Sequence, residues 1–207
     1  KNMDDGGFGQ DNWFIECFEW ILAPWNLDQQ NPRPDLAPDV MNNSWRYGGG
    51  NDPTFIQSIQ NLNRAGVVIE VSAGNEGSGC ATLGSPSDYA NVITTGATAN
   101  RSETLVSFSS KGPWDLYPTW IKPDIVAPGE NVNSSLPGSI YSGETWSGTS
   151  MAGPHVVGAV ALLISANPSL KGYVEAREQI IPDTANGTMP NPPGSGDTCG
   201  GMQYNVV

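Results

Sequence analysis

The chain has 207 residues, a length typical of one domain with a substantial buried core. Its formal net charge is −12 and its nine Lys and Arg residues are scattered, so it lacks the basic surface that binds nucleic acid or an anionic membrane. It has no apolar run of about eighteen residues and no signal-peptide pattern. We therefore predict a globular protein that binds neither nucleic acid nor membrane.

The first predicted elements are a helix, a long loop and a strand. Apolar residues recur at helical spacing after Asn12, the predicted N-cap, until Pro24 ends the helix. Residues 24–38 contain four prolines and are predicted to form a surface loop. A strand is expected at residues 39–44. The opening residues KNMDDGGFGQ look like a strand running into a glycine-rich loop, so we expect further chain upstream.

A second helix and a buried strand follow. Asp52 is the predicted N-cap of this helix, Pro53 suits its first position, and Gly66 suits its exit. Residues 67–71 contain four β-branched apolar residues, as in a central strand of a parallel sheet. Together with the preceding strand they predict a right-handed βαβ unit.

The rest of the chain continues this α/β pattern. Short strands are predicted at residues 92–95, 105–108 and 125–127, separated by Gly, Pro and Ser turns. Residues 149–166 are small or apolar on nearly every side and predict a helix buried in the core. A last helix is predicted at residues 169–181. The sequence therefore predicts an α/β domain with a mostly parallel sheet.

The segment GTSMAGPHV, residues 148–156, places Ser150 at the start of the predicted core helix. Unpaired N–H groups and the helix dipole stabilise negative charge there, which suits the oxyanion formed when a hydroxyl attacks a carbonyl. Pro154 is expected to be tolerated because it would fall in the first helical turn. By position alone, an ordinary N-cap is the favoured interpretation of Ser150.

His155 is the only histidine and the obvious candidate base for Ser150. Five residues at about 3.6 per turn place the two side chains roughly 140° apart around the helix, so they do not meet. We predict a buried structural histidine that bonds to backbone or to a polar neighbour. The chain then contains a candidate nucleophile without a base.

Asn75 lies in SAGNEG, residues 72–77, directly after the predicted buried strand. Open α/β sheets place their sites at the carboxyl ends of strands, so the asparagine is a candidate site residue. A loop asparagine is also a common turn residue, and this alternative stays open on the single motif.

The two motifs together, with Ser-Trp before the first and Ala-Pro-Gly between them, resemble the subtilases, the subtilisin-like serine proteases. The resemblance runs from Gly7 to about Ala185, and ECFEWILAP with the following loop is most similar to the bacillopeptidase F branch. It implies a three-layer α/β/α domain, truncated at both ends, spanning residues 1–207. It also implies a secreted, monomeric enzyme that acts on proteins or peptides.

The resemblance also implies residue roles. Ser150 would attack the peptide carbonyl, and its own N–H and the Asn75 amide would bind the oxyanion. The triad Asp and His precede the serine in subtilases and are expected outside these residues. The substrate-binding candidates form three groups: Gly7, Phe8 and Gly9; Ser44, Trp45 and Arg46; and Ser72, Ala73, Gly74 and Thr149. A peptide substrate would lie as a strand between the first group and the second.

One departure concerns the residue after Ser-Trp, where the family has glycine and this chain has Arg46-Tyr47. Asp4, Asp5 and Asp11 beside the glycine-rich loop are interpreted as solvated. No cofactor is identifiable, and calcium is a candidate ion by resemblance alone.

The three cysteines at 17, 80 and 199 lack zinc-binding spacing. An oxidising compartment would permit a Cys80–Cys199 bridge, and a reducing one would leave three free thiols.

The sequence leaves two alternatives to an active serine protease. The first is a non-catalytic peptide-binding pseudoprotease, and the second is an intracellular esterase-like acyl hydrolase.

Overall fold

A parallel sheet lies between two layers of helices in the computed structural model, which describes residues 2–99, 104–112, 122–138, 140–143, 145–174, 188–189 and 204–206. In chain order the strands are β1 (Val40–Asn43), β2 (Val68–Ser72), β3 (Ile93–Thr98), β4 (Ile125–Pro128), β5 (Ser135–Leu136), β6 (Ile140–Tyr141), β7 (Thr188–Met189) and β8 (Tyr204–Val206). The main sheet has the order β1-β2-β3-β4-β8-β7, in which only β7 is antiparallel to its neighbour. β5 and β6 form a separate antiparallel pair.

In the described part of the chain, three α-helices cover the two faces of the sheet: α1 (Asp11–Leu22), α2 (Ile56–Arg64) and α3 (Thr149–Ala166). Side chains alternate along β2, because successive residues of a strand point to opposite faces. Ile69 and Val71 pack in the core cluster of α1 and α2, whereas Val68 packs in the cluster of α3. The predicted α/β fold with a mostly parallel sheet is confirmed.

Two predicted helix starts were misplaced. α1 begins at Asp11 after Gln10, so Asn12 is inside the helix rather than its cap. α2 begins only at Ile56, because Asp52 instead accepts a bond from the Thr54 N–H, 2.9 Å away, in a turn before the helix. The exit glycine of α2 is confirmed, since Gly66 has φ +91°.

The strand predicted at residues 105–108 is wrong. Leu105 forms only an isolated bridge to Thr98, and Ser107 and Phe108 lie in a turn. The last predicted helix is described only as far as residue 174, and within it Pro168–Leu170 forms a 3₁₀ turn followed by a turn at residues 171 and 172. Residues 175–187, which contain the rest of that prediction, lie outside the described residues.

α3 has the predicted bounds but not the predicted burial on all sides. Val156, Val160 and Ile164 are buried at a spacing of four residues, while Leu162 exposes 73% of its surface. Among the described helices, α3 alone is long and apolar enough for a membrane span by composition. Its packing against β1 to β4 is that of a core helix with one buried face.

The cysteines give the first testable prediction. Cys80 is disulfide-bonded and Cys17 is free, whereas Cys199 lies outside the described residues. We expect peptide mapping by mass spectrometry without reduction to recover Cys80 linked to Cys199. For a loop of this length the entropy model gives a stabilisation of about 4–5 kcal/mol. Alkylation of Cys199 in the unreduced chain would contradict the pairing.

Candidate active site

A cavity of about 180 Å³ opens where the carboxyl ends of β1 and β2 meet the N-terminus of α3. Parallel strands end on the same edge of a sheet, which brings together segments far apart in the chain. The cavity is lined by Ser44, Trp45, Arg46, Ser72, Gly74, Asn75, Glu76, Thr149 and Ser150. It therefore joins the two motifs that the sequence identified separately.

The side-chain amide of Asn75 has a defined orientation. Its Oδ1 accepts hydrogen bonds from the Thr149 backbone N–H at 2.9 Å and from Thr149 Oγ1 at 3.1 Å. Within the described residues, Asn75 Nδ2 donates no hydrogen bond. Because Thr149 holds the oxygen, the NH₂ group is the part of the Asn75 amide that can donate a hydrogen bond to another acceptor.

Thr149 also ties the end of β2 to the first turn of α3. Its buried Oγ1 accepts from the Gly74 N–H at 3.1 Å, and its carbonyl accepts from Ser72 Oγ at 3.1 Å. Gly74 has φ +107°, and a Cβ there would lie 2.7 Å from Glu76 Oε2. Only glycine fits this position without strain, so the loop that carries Asn75 depends on it.

The backbone carbonyl of Ser150 accepts a hydrogen bond from a donor outside its own helix. In an α-helix this oxygen would accept the N–H of the residue four positions later, but that residue is Pro154, which has no N–H. The Ser44 hydroxyl donates to it instead, at 3.2 Å. The expectation that Pro154 costs no helical bond was therefore wrong, because Pro154 is the sixth residue of α3.

His155 is exposed, and its Nδ1 lies 2.9 Å from the Met151 carbonyl. The predicted backbone bond is present, and the predicted burial is wrong. One turn of helix separates the two groups, so this contact holds the ring along α3.

The glycine-rich loop does not line the cavity. Phe8 exposes 76% of its surface, and its N–H and C=O both bond to Asp4, at 3.0 and 2.8 Å. Gly7 and Gly9 are likewise absent from the lining of this cavity. Ala73 is fully buried and is also not part of the lining.

Arg46 and Glu76 form an ion pair at the cavity, with Nε and Oε1 3.3 Å apart. The other carboxylate oxygen of Glu76 accepts from the Asn75 N–H at 2.9 Å and from Ser110 Oγ at 3.2 Å. Sequence reasoning missed Glu76, although it directly follows Asn75. The pair places opposite charges beside Ser150, where a substrate side chain could meet them.

Glu70 is a second residue that the sequence did not single out. Its carboxyl is completely buried between β2 and α3, and burial raises its pKa to about 8 from an ordinary 4.5. Polar contacts with Thr95 and Asn43 lower the pKa only in part. Burial therefore favours the protonated form of the Glu70 carboxyl.

No group of three or more His, Cys, Asp or Glu side chains suited to a metal ion occurs in the part of the chain that the structure describes.

Fold and site define a parallel α/β domain with a serine at a helix N-terminus beside an oriented asparagine amide. The chain belongs to the subtilase family of serine proteases, whose family model matches residues 2–200. It is 41% identical to bacillopeptidase F of Bacillus subtilis over 201 residues, which cover 93% of this chain and 13% of that protein. It is 36% identical to subtilisin E of the same organism over 172 residues, or 82% of this chain and 39% of that protein.

Among solved structures the chain resembles sphericase, with a TM-score of 0.72 and 25% sequence identity. The match covers 88% of this chain and 58% of sphericase. The chain thus spans less than two thirds of each of these relatives.

Proposed function

We propose that this chain carries the nucleophile and the oxyanion-binding groups of a serine endopeptidase. The observation that carries the proposal is the Asn75 amide, whose oxygen is held by Thr149 beside Ser150. A donor fixed in advance stabilises an oxyanion without reorganising during the reaction. Membership of the subtilase family supports the same chemistry.

In the proposed reaction, Ser150 Oγ forms a bond to the peptide carbonyl carbon, and the carbonyl oxygen becomes an anion. The Asn75 NH₂ and the Ser150 N–H bind that anion at the N-terminus of α3. The C–N bond then breaks as the leaving amine takes the serine proton from a base, and water releases the acyl group. His155 bonds along its own helix, so the base is proposed to come from residues outside these 207.

The isolated 207-residue chain is therefore expected to be proteolytically inactive, because an unassisted serine hydroxyl is a poor nucleophile. Incubation of the purified chain with casein checks this, with the full-length protein as positive control. Casein turnover that Ser150→Ala abolishes and His155→Ala leaves intact would contradict the prediction.

The ion pair at the cavity gives a specificity prediction. Arg46 stands where the family has glycine and pairs with Glu76, so it narrows the space next to Ser150. In the full-length protein, Arg46→Gly is expected to raise kcat/KM for peptides with a bulky apolar residue before the scissile bond by about tenfold. The exposed Arg33→Gly is the matched control. Equal kcat/KM ratios in both variants would refute a role for Arg46.

The alternative functions give different results with the full-length protein. A pseudoprotease binds extended peptides without hydrolysing them, and an esterase cleaves esters and leaves peptides intact. Peptide hydrolysis that depends on Ser150 excludes both.

A secreted location is proposed because the disulfide at Cys80 requires an oxidising compartment. The protein is further proposed to act as a monomer on protein or peptide substrates, and calcium is proposed by resemblance only.

A further inference from the structure

We propose that Arg46 makes this site select peptides with an acidic residue, glutamate or aspartate, directly before the scissile bond. The inference deepens the proposed function and rests on it, because it names the substrate class of the same site. Arg46 stands where the family has glycine, so a preference that it creates is particular to this chain. The argument concerns the two charged side chains at the cavity and the hydrogen bonds that each has left to offer.

The substrate side chain before the scissile bond starts beside Ser150 and Asn75. In the proposed reaction the Ser150 hydroxyl attacks the carbonyl carbon, and the Asn75 amide binds the carbonyl oxygen. The Cα of the same substrate residue lies about 1.5 Å from that carbon, so its side chain extends from this point. The charged residues that line the cavity here are Arg46 and Glu76. These two residues therefore meet the substrate side chain first.

The carboxylate of Glu76 is already occupied by the protein. Its Oε2 accepts hydrogen bonds from the Asn75 N–H at 2.9 Å and from Ser110 Oγ at 3.2 Å. Its Oε1 lies 3.3 Å from Arg46 Nε in the ion pair. A Cβ on Gly74 would lie 2.7 Å from Oε2, so the loop also packs closely against this carboxylate. Glu76 therefore has little left to offer a basic substrate side chain.

The guanidinium of Arg46 has donors to spare. Arginine carries five N–H donors, and four of them are on Nη1 and Nη2. Neither of these nitrogens donates a hydrogen bond to a residue that the structure describes. Nη1 lies beside Gly84, where an added Cβ would be 3.4 Å from it. Because Gly84 has no side chain, this side of the guanidinium stays uncovered.

A carboxylate is the group that fits these donors best. The two oxygens of a carboxylate match the fork of a guanidinium, and both groups are charged. A glutamine side chain offers one acceptor oxygen and no charge, and a lysine side chain would meet the positive charge of Arg46. The Arg46 side chain is 41% exposed, so water screens the attraction. We therefore expect a preference of about fivefold for glutamate over glutamine.

Hydrolysis of matched peptides by the full-length protein tests this preference. The peptides differ only in the residue before the scissile bond, which is glutamate, glutamine or lysine. For the wild type, kcat/KM should be about fivefold higher with glutamate than with glutamine, and lowest with lysine. Arg46→Gln removes the charge and should bring the glutamate-to-glutamine ratio to about one or below. Arg46→Lys keeps the charge without the fork and should retain part of the preference.

The matched control is Arg33→Gln, which removes the same charge from the exposed loop before β1. It should keep the wild-type ratio, because the net charge of the chain acts on the glutamate peptide in both variants alike. An equal glutamate-to-glutamine ratio in wild type and Arg46→Gln would overturn the proposal.

Binding without chemistry separates this inference from the proposed function. In the full-length Ser150→Ala variant, Kd should be about fivefold lower for the glutamate peptide than for the glutamine peptide. Adding Arg46→Gln should remove the difference. A wild type that hydrolyses no peptide, with this Arg46-dependent binding intact, would reject the endopeptidase and keep the selectivity. Hydrolysis of all three peptides with ratios that Arg46→Gln leaves unchanged would reject the selectivity and keep the endopeptidase.

Discussion

Replacing Asn75 with leucine in the full-length protein is expected to lower kcat by about 10²–10³ and to leave KM nearly unchanged. The magnitude is taken from subtilisin, where loss of one oxyanion-hole donor has this effect. The amide bond strengthens only as the carbonyl oxygen becomes an anion, so it stabilises the transition state more than the bound substrate. Measurement of kcat per titrated active site, with the melting temperature of the same preparation, checks the prediction.

Asn75→Asp is the matched variant, because it keeps an oxygen for the Thr149 donors and removes the NH₂ group. Its kcat should fall at least as far as that of the leucine variant. If Asn75 were only a turn residue, the leucine variant would instead melt at lower temperature with kcat per folded molecule near normal. A stable leucine variant with full kcat would refute the assignment.

The second large effect is expected on stability, from the buried carboxyl of Glu70. Its pKa is raised to about 8 by burial, against 4.5 for an ordinary carboxyl. Between these values the folded chain keeps a proton that the unfolded chain releases, so the free energy of unfolding falls as pH rises. This contribution to the free energy of unfolding is complete below about pH 4.5 and is lost above about pH 8. Between these pH values the free energy of unfolding falls by about 1.4 kcal/mol per pH unit, which amounts to about 4–5 kcal/mol in all.

Glu70→Gln cannot ionise and should lack this part of the pH dependence. Urea unfolding of the 207-residue chain at about pH 5, pH 7 and pH 9 should show the variant gaining stability over wild type as pH rises. The exposed Glu19→Gln variant should show the same pH dependence of stability as wild type. It serves as the control for the loss of one negative charge among the many other acidic residues. Parallel curves for Glu70→Gln and wild type would mean that Glu70 is ionised in the folded chain.

Features that depend on local sequence were predictable. The β-branched run of β2, the apolar length of α3 and the glycine at the exit of α2 each specify one element by short-range rules. The motifs around Ser150 and Asn75 identified the family, and they proved to line one cavity. Parallel strands explain this meeting, since the carboxyl ends of β1 and β2 open on the same edge.

Contacts between distant residues were not predictable, because they depend on how separate elements pack. Glu70 was not singled out from the sequence, and only the packing of α3, which brings Gly153 against it, makes it a buried acid. Arg46 also meets Glu76 across the cavity, although thirty positions separate them in the chain. The sequence by itself determined β1 to β4, the core helix and the two motifs, because these follow from neighbouring residues. Only the tertiary structure decided which polar groups share a buried space, because that depends on how separate elements pack.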